Sequence, residues 1–559
     1  MAQRLPFLRW IRPRPKQWRQ DFFAALTVGL MLVPQAIAYA ALAGMPLEAG
    51  LYAAILPLAL ATLLASSPRL GTGPTALTAL MVSAALAPLA QPGSAQWITL
   101  AIWLALLSGA IQLAMGLLRM DWLQSIITVP VLSGFSHAAA LLIIGSQIPT
   151  LTGVPWSTWR QALQDSAGLE ALLASLDGYA LLFSSVAIAA FLGVKRLGHA
   201  IPWTALILAV GATAAWLLGY ADHGSAVIGP LSLELHSLHW PPWPGSGTVL
   251  ELLVPALLIA LISFVEAAAS AKTEHALAGT PWQPAQDLIA QGVAKIASGL
   301  AGGFPISASF SRSAVIHYAG AQTGWVNLWA SLLVLIVALW FAPLLAHVPM
   351  ALLAALVVVS VYGLLKPRTI SHFWAFSRVE AGIAVLTLVV TLLSAPHIYW
   401  GVLAGLLANL AYFMHQHLRP RIVEVGLFPE DGRLRDRFLW QLEPLSPYAL
   451  ALRLDGPLDF ATASALERRV TARWEADAQL HSICLIASSI HNIDTTGLEA
   501  LFSLRNMAAQ RGGKLYLSGM KLPLEQRLRH IGLLSDTHRV QAFPSDAETV
   551  RGLAQLQAQ

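Results

Sequence analysis

Twelve runs of this chain are apolar for long enough to cross a bilayer, and that constrains the fold more than any other feature. In hydrocarbon a backbone has to satisfy its own polar groups, so such runs become helices packed against helices. They fall at residues 22–39, 48–66, 97–118, 127–147, 178–194, 201–219, 249–271, 285–301, 323–345, 348–365, 379–395 and 398–414. Charge follows the same division: residues 20–416 hold 24 Asp, Glu, Lys or Arg, and residues 417–559 hold 33. The expected organisation is a basic N-terminus over 1–20, a membrane domain over 21–416, a linker over 417–439 and a small soluble domain over 440–559.

Two further segments, 71–90 and 302–320, are rich in Gly, Ser and Thr and too broken for simple spans. Each reads as an extended strand followed by a helix that begins in mid-membrane. Counting both gives about fourteen crossings, an even number that leaves the C-terminal domain on the side of the N-terminus. Arg4, Arg9, Arg12, Arg14, Lys16 and Arg19 precede the first span with no acid among them. By the positive-inside rule that side is the cytoplasm, so the basic head is a topology signal and no nucleic-acid partner follows from it. No cleavable leader is expected, and the single cysteine, Cys484, excludes disulfides within the chain.

The broken segments come with a repeat. ALAGMP at 41–46 returns as ALAGTP at 276–281, and GTGPTALTA at 71–79 has its counterpart in GGFPISASF at 302–310. Two halves of seven crossings each have to be inverted relative to one another, the construction of many secondary transporters.

Irregular backbone inside a bilayer is tolerated where it is buried in protein or lines a watery cavity. Pro74 and Pro305 suit helix starts. The free N–H groups and positive dipole ends of two helices starting there attract anions. Arg312 adds a fixed charge, and Ser307, Ser309 and Ser311 add hydroxyl donors. The alternative for Arg312 is a pairing with an acid such as Glu266. In the first span Pro34 interrupts the helix, so Gln35 and Tyr39, one turn apart, can face the same site. Glu266, among small residues in LISFVEAAASAKTEH, is either a group that binds a coupling proton or the counter-ion of Arg312 or Lys272. His137 and His317 read as hydrogen-bonded core residues.

DFFAALTVGLMLVPQAIAYAALAGMP, EAGLYAAILP, GTGPTALTALMV, SGFSHAAALL and GGFPISASFSRSAV, taken in order, resemble the sulfate permease (SulP) family of anion transporters and exchangers. The resemblance implies a polytopic α-helical protein with a seven-plus-seven inverted repeat, a substrate held between two half-helix N-termini, elevator-type alternating access, and a homodimer in a bacterial inner membrane among its lipids. Residue by residue it implies that Gln35, Tyr39, Thr75, Phe310, Ser311 and Arg312 line the anion site, with Ser309 beside them. It further implies that Glu266 is the acid of the eighth helix. Sodium-coupled relatives carry an Asp and a Thr in that helix, a pattern Glu266 and its small neighbours depart from.

The tail alternates short strands with amphipathic helices, with Asp494 as N-cap of one of them. It resembles the STAS domain, a cytoplasmic α/β fold. There Asp494-Thr495-Thr496-Gly497 matches a motif whose second residue is a phosphoacceptor in signalling members, which maps to Thr495; an N-cap and turn is the alternative. Nothing in the sequence has the pattern of an enzyme, a cofactor loop or a metal site. The expected function is secondary transport of a small anion: sulfate first, bicarbonate or a dicarboxylate otherwise, with proton symport as the coupling. The alternatives are a membrane-anchored anion sensor signalling through the STAS domain, and a nucleobase transporter, against which the tail and Arg312 speak.

Overall fold

The computed structural model describes residues 6–162, 166–194, 203–231, 240–418 and 420–555. Arg4 of the basic head, residues 201–202 of one apolar run, residue 419 and residues 556–559 lie outside the described residues. The chain divides into two units, Met1–Asn409 and Leu410–Gln559.

In the first unit, Pro15–Leu42, Leu47–Leu64, Ala95–Leu117, Val129–Thr152 and Ser246–Ala278 are each long and apolar enough to cross a membrane, and Gly168–Ala174 with Gly178–Val194 forms a pair bent by 75°. The other apolar runs are the helices Trp203–Leu217, Pro284–Leu300, Trp325–Trp340, Met350–Tyr362 and Arg378–Leu393, with Tyr399–His417 running across the boundary at Asn409. The two broken segments consist of a two-residue strand and a helix each: β1 (Thr72–Gly73) with Ala76–Leu86, and β2 (Ser307–Ala308) with Phe310–Tyr318. The first span departs from expectation. Its helix runs unbroken through Pro34 from Pro15 to Leu42, because neighbours packed around it hold the turn in which proline deletes one backbone bond.

Packing reproduces the repeat. Pro15–Leu42 packs on Trp325–Trp340, while its counterpart Ser246–Ala278 packs on Ala95–Leu117. Val129–Thr152 packs on Arg378–Leu393, while its counterpart Met350–Tyr362 packs on Gly178–Val194. Each contact thus has its image in the other half, and β1 pairs antiparallel with β2, as inversion requires. Small residues set the closest approaches. Ala95–Leu117 and Pro284–Leu300 cross through Gly109 and Gly292, where a Cβ on Gly292 would lie 2.6 Å from the backbone nitrogen of Leu113.

The second unit is a six-stranded sheet in the order β4-β3-β5-β6-β7-β8. Its strands are β3 (Ile422–Leu427), β4 (Leu434–Asp436), β5 (Ala449–Leu454), β6 (Ser482–Ile486), β7 (Leu515–Ser518) and β8 (Val540–Phe543). β5 to β8 run parallel and β3 is antiparallel to both neighbours. β3 and β4 use residues read from sequence as linker, because their short alternating pattern is hard to tell from a connector. One face packs Leu452, Leu466, Ile483, Leu504 and Leu517, the other Val423, Cys484 and Tyr516. Burial pushes the Cys484 thiol well above its ordinary range, so it is an inert core residue. Buried Glu424 is bracketed by Arg437 and by Arg473 at 2.9 Å.

Gly292→Val is expected to lower the unfolding temperature of the detergent-solubilised protein by several degrees, since the added carbons meet backbone and cost about 1–3 kcal/mol. Gly382→Ala, whose Cβ would meet nothing within 4 Å, is the control and leaves it unchanged.

Candidate functional site

The site grows from the two breaks. Thr72 lies opposite Ala308 and Gly73 opposite Ser307, and the ladder is extended by Ser309 N–H donating to the Gly71 carbonyl at 2.9 Å. Each chain then turns into a helix. Thr75 caps Ala76–Leu86 by accepting from Thr78 N–H at 3.3 Å, and Ser309 caps Phe310–Tyr318 by accepting from Arg312 N–H at 3.4 Å. Because the strands are antiparallel, both helix N-termini open at this one short ladder, and their dipoles place partial positive charge there. The prolines do not open the helices: Pro74 precedes the cap and Pro305 precedes β2. Both sit in extended backbone, which suits their fixed φ equally well.

Arg312 is 1% exposed. Its Nη1 donates to the Gly71 carbonyl at 3.2 Å and its Nη2 to the Pro74 carbonyl at 2.8 Å, both on the opposite break; Nε is buried without a partner. The arginine stem runs so close to Gly71 that a Cβ there would lie 2.8 Å from Cγ. The glycines of GTGPT therefore make room for the arginine of SFSRS. The guanidinium ties the breaks together and keeps a full positive charge beside both N-termini.

The first helix and Ser246–Ala278 each pack on both short helices, bringing the sequence-derived residues to one region. Gln35 is buried. Tyr39 is buried, its hydroxyl bonded to Ser360, within electrostatic reach of Arg312 and Glu266. Thr75 is buried, its hydroxyl 2.9 Å from that of Thr78. Ser309 and Ser311 hydroxyls are 3.1 Å apart. Ser311 and Phe310 are exposed, so the second helix N-terminus opens on accessible space. Ser307 does not join them: it is buried and donates to Glu266 Oε2 at 2.7 Å. The two bases considered as counter-ions are engaged elsewhere, Arg312 on carbonyls and Lys272 over the Trp282 ring at 5.5 Å. His137 is structural, contacting Ser133 O at 2.7 Å and accepting from Lys366 N–H at 2.9 Å. His317 is half-buried.

Sequence reasoning passed over Lys295, Gln112 and Ser263, which form a buried cluster behind Glu266, with the Lys295 ammonium donating to both partners. The signal was in view, a lysine inside an apolar run. In the soluble unit Asp494 caps Thr495–Gln510, its Oδ1 accepting from Gly497 N–H at 2.7 Å and its Oδ2 from Phe460 N–H at 2.9 Å. Thr495 is exposed and borders a cavity of about 280 Å³ that Arg527 also lines.

Residues 18–387 match the sulfate permease family and residues 444–545 the STAS domain. The chain is 30% identical over 545 residues to a probable sulfate transporter of Mycobacterium tuberculosis, with 97% of each chain covered. It is 29% identical to the chloroplastic sulfate transporter 4.1 of Arabidopsis thaliana, covering 95% of this chain and 79% of that one. With the sodium-independent sulfate anion transporter of Bos taurus it shares 28% identity, over 94% and 87%. Its fold is similar to that of the murine solute carrier 26 member A9 anion transporter in the inward-facing state, at TM-score 0.87, 19% identity and coverage of 99% and 94%. It is also similar to the transmembrane domain of the cyanobacterial bicarbonate transporter BicA, at TM-score 0.58, 21% identity and coverage of 71% and 98%.

Arg312→Ala leaves the Pro74 carbonyl without its donor, at a cost of about 1–3 kcal/mol, while the Gly71 carbonyl keeps the Ser309 N–H. The variant is expected to insert and to unfold at a lower temperature, with Arg312→Lys recovering part of the loss. Asp494→Ala is expected to cost about 1–2 kcal/mol as a lost cap, and Thr495→Ala under about 0.5 kcal/mol as a surface change, read from urea unfolding of the full chain.

Proposed function

The chain belongs to the sulfate permease family, by its match over residues 18–387, and from that premise we propose that it is a secondary active transporter of small anions with sulfate as its substrate. The observation that carries the reading is the pair of half-helix N-termini meeting at the β1–β2 ladder with the Arg312 guanidinium fixed beside them. Backbone N–H groups, hydroxyls and a buried cation all favour an anion, and a neutral ring would leave that charge unanswered. The relatives' role in sulfate transport supports sulfate; they are transporters, not enzymes. Gln35, Tyr39, Thr75, Ser309, Phe310, Ser311 and Arg312 form the site.

Packing supports elevator-type alternating access. One group gathers the two breaks with Pro15–Leu42, Ala95–Leu117, Ser246–Ala278, Pro284–Leu300 and Trp325–Trp340; another gathers Val129–Thr152, Gly178–Val194, Met350–Tyr362 and Arg378–Leu393. Contacts within each group are denser than those between them, and a cavity of about 170 Å³ bordered by Ala38, Leu42, Gln147, Thr150 and Met350 lies between the two. The first group carries the anion past the second. The protein sits in a bacterial inner membrane as a homodimer, with its N-terminus and STAS domain in the cytoplasm and Thr495 as a regulatory position.

Glu266 is the coupling group. It lies one hydroxyl from β2 and is partly exposed, so a proton can reach it. A proton bound there removes one negative charge from the translocating complex, and inward movement of each such charge is opposed by about 2.3 kcal/mol per 100 mV. Uptake of labelled sulfate into proteoliposomes is therefore expected to rise as external pH falls. Glu266→Gln is expected to keep sulfate binding while losing the response to a pH gradient, and Arg312→Ala to lose uptake. Removal of residues 440–559 is expected to lower activity without altering anion preference. Binding without flux in the parent protein would favour an anion sensor instead.

A further inference from the structure

Lys295 is 0% exposed in the middle of Pro284–Leu300. A buried ammonium has to be answered by acceptors and by opposite charge. The acceptors come from two other helices: Gln112 Oε1 on Ala95–Leu117 and Ser263 Oγ on Ser246–Ala278. The glycine crossing described above sets this meeting, since Gln112 and Lys295 each lie three residues beyond a crossing glycine, Gly109 and Gly292. Gln112 presents its oxygen to the cation although its Nε2 is then buried without a partner, so the cluster is arranged around positive charge. The opposite charge is Glu266, one helical turn beyond Ser263, and each acts on the other through space. Ser307 closes the circle, donating to Glu266 Oε2 at 2.7 Å and lying 3.4 Å from the Ser263 carbonyl. Asp287, the acid on the helix of Lys295, is taken by Ser66 and Ser67, and Glu274, further along the helix of Glu266, is taken by Arg69.

Hard monovalent cations are held by clustered oxygens of this kind: carboxylate, amide, hydroxyl and carbonyl. Here an amine tethered to the chain stands among them. We propose that Lys295 is a built-in cation, occupying beside Glu266 an oxygen-lined position that a free sodium ion would otherwise fill, so that the transport cycle runs without sodium. Among the described residues Lys295 hydrogen-bonds to Gln112 and Ser263 and to no anion-site residue, and it is a positioning residue: it holds Ser263 directly and Glu266 by charge, and Glu266 in turn holds Ser307 of β2, which leads into the second helix N-terminus.

The test removes the tether and offers the ion. The unfolding temperature of the detergent-solubilised full chain is measured in sodium chloride against equimolar choline chloride, and sulfate uptake is measured with and without sodium. The parent protein is expected to be indifferent to sodium in both. Lys295→Ala opens the site and should lose roughly tenfold or more of its uptake without sodium, as a partly buried carboxylate left without its opposite charge implies. Sodium should restore uptake and raise the unfolding temperature by several degrees. Lys295→Met fills the space without charge and should be insensitive to sodium. If the single variants fold poorly, Lys295→Met combined with Glu266→Gln should be more stable than Lys295→Met alone, because the carboxylate left unpaired in the single variant is gone. Sodium stabilisation of the parent overturns the assignment, as do undiminished sodium-free uptake by Lys295→Ala, an absence of both rescue and stabilisation in that variant, or a double variant no more stable than Lys295→Met. The inference rests on Glu266 as coupling group, but the unfolding temperatures need no transport, so a failure of proton coupling and a failure of the Lys295 assignment are read separately.

Discussion

Backbone polar groups in the middle of a membrane have to find partners within the protein, and in this chain the two interrupted spans find theirs in each other. β1 and β2 exchange main-chain hydrogen bonds, Ser309 N–H reaches the Gly71 carbonyl, Gly71 N–H reaches Ser313 Oγ at 3.0 Å, and Arg312 satisfies the Gly71 and Pro74 carbonyls. With those groups answered, the first turns of Ala76–Leu86 and Phe310–Tyr318 both begin at this ladder. The proposed anion site is thus a by-product of how the breaks are tolerated.

A ring of buried polar side chains fixes the ends of these segments. Gln291 Nε2 donates to Thr72 Oγ1 at 2.8 Å, and Asn327 Nδ2 donates to the carbonyls of Pro68 and Leu70. Asp287 accepts from the backbone and hydroxyls of Ser66 and Ser67. Asp21 accepts from the backbone N–H groups of Gln322 and Thr323 and from the Thr323 hydroxyl. Each bond joins one half of the chain to the other, and buried hydrogen bonds of this kind rigidify their surroundings, although Gln291 Oε1 and Asn327 Oδ1 stay buried without a partner. Inside the group that carries the breaks, Arg312 and Lys295 each find acceptors and Glu266 a hydroxyl donor.

Much of this was legible in the residues. The apolar runs, the Gly-rich interruptions, the inverted halves and the lone Arg312 follow from the chemistry of a bilayer, which punishes free backbone and isolated charge heavily enough to leave its mark on composition. Asp494 as an N-cap was visible for the same local reason. Lys295 was visible as a charge in an apolar run, yet its meaning depends on Gln112 and Ser263, which are far away in sequence and ordinary by themselves.

By itself, then, the sequence determined the membrane class and the two breaks, since each rests on local composition or spacing. Tertiary structure alone decided what the polar groups answer to. Arg312 binds carbonyls of the opposite break, Ser307 turns to Glu266 away from the helix N-terminus, and Pro34 leaves its helix unbroken. The physical reason is that a hydrogen bond in a low-dielectric interior is chosen by which donors and acceptors packing brings within about 3 Å, and for Arg312 those come from an element more than two hundred residues away.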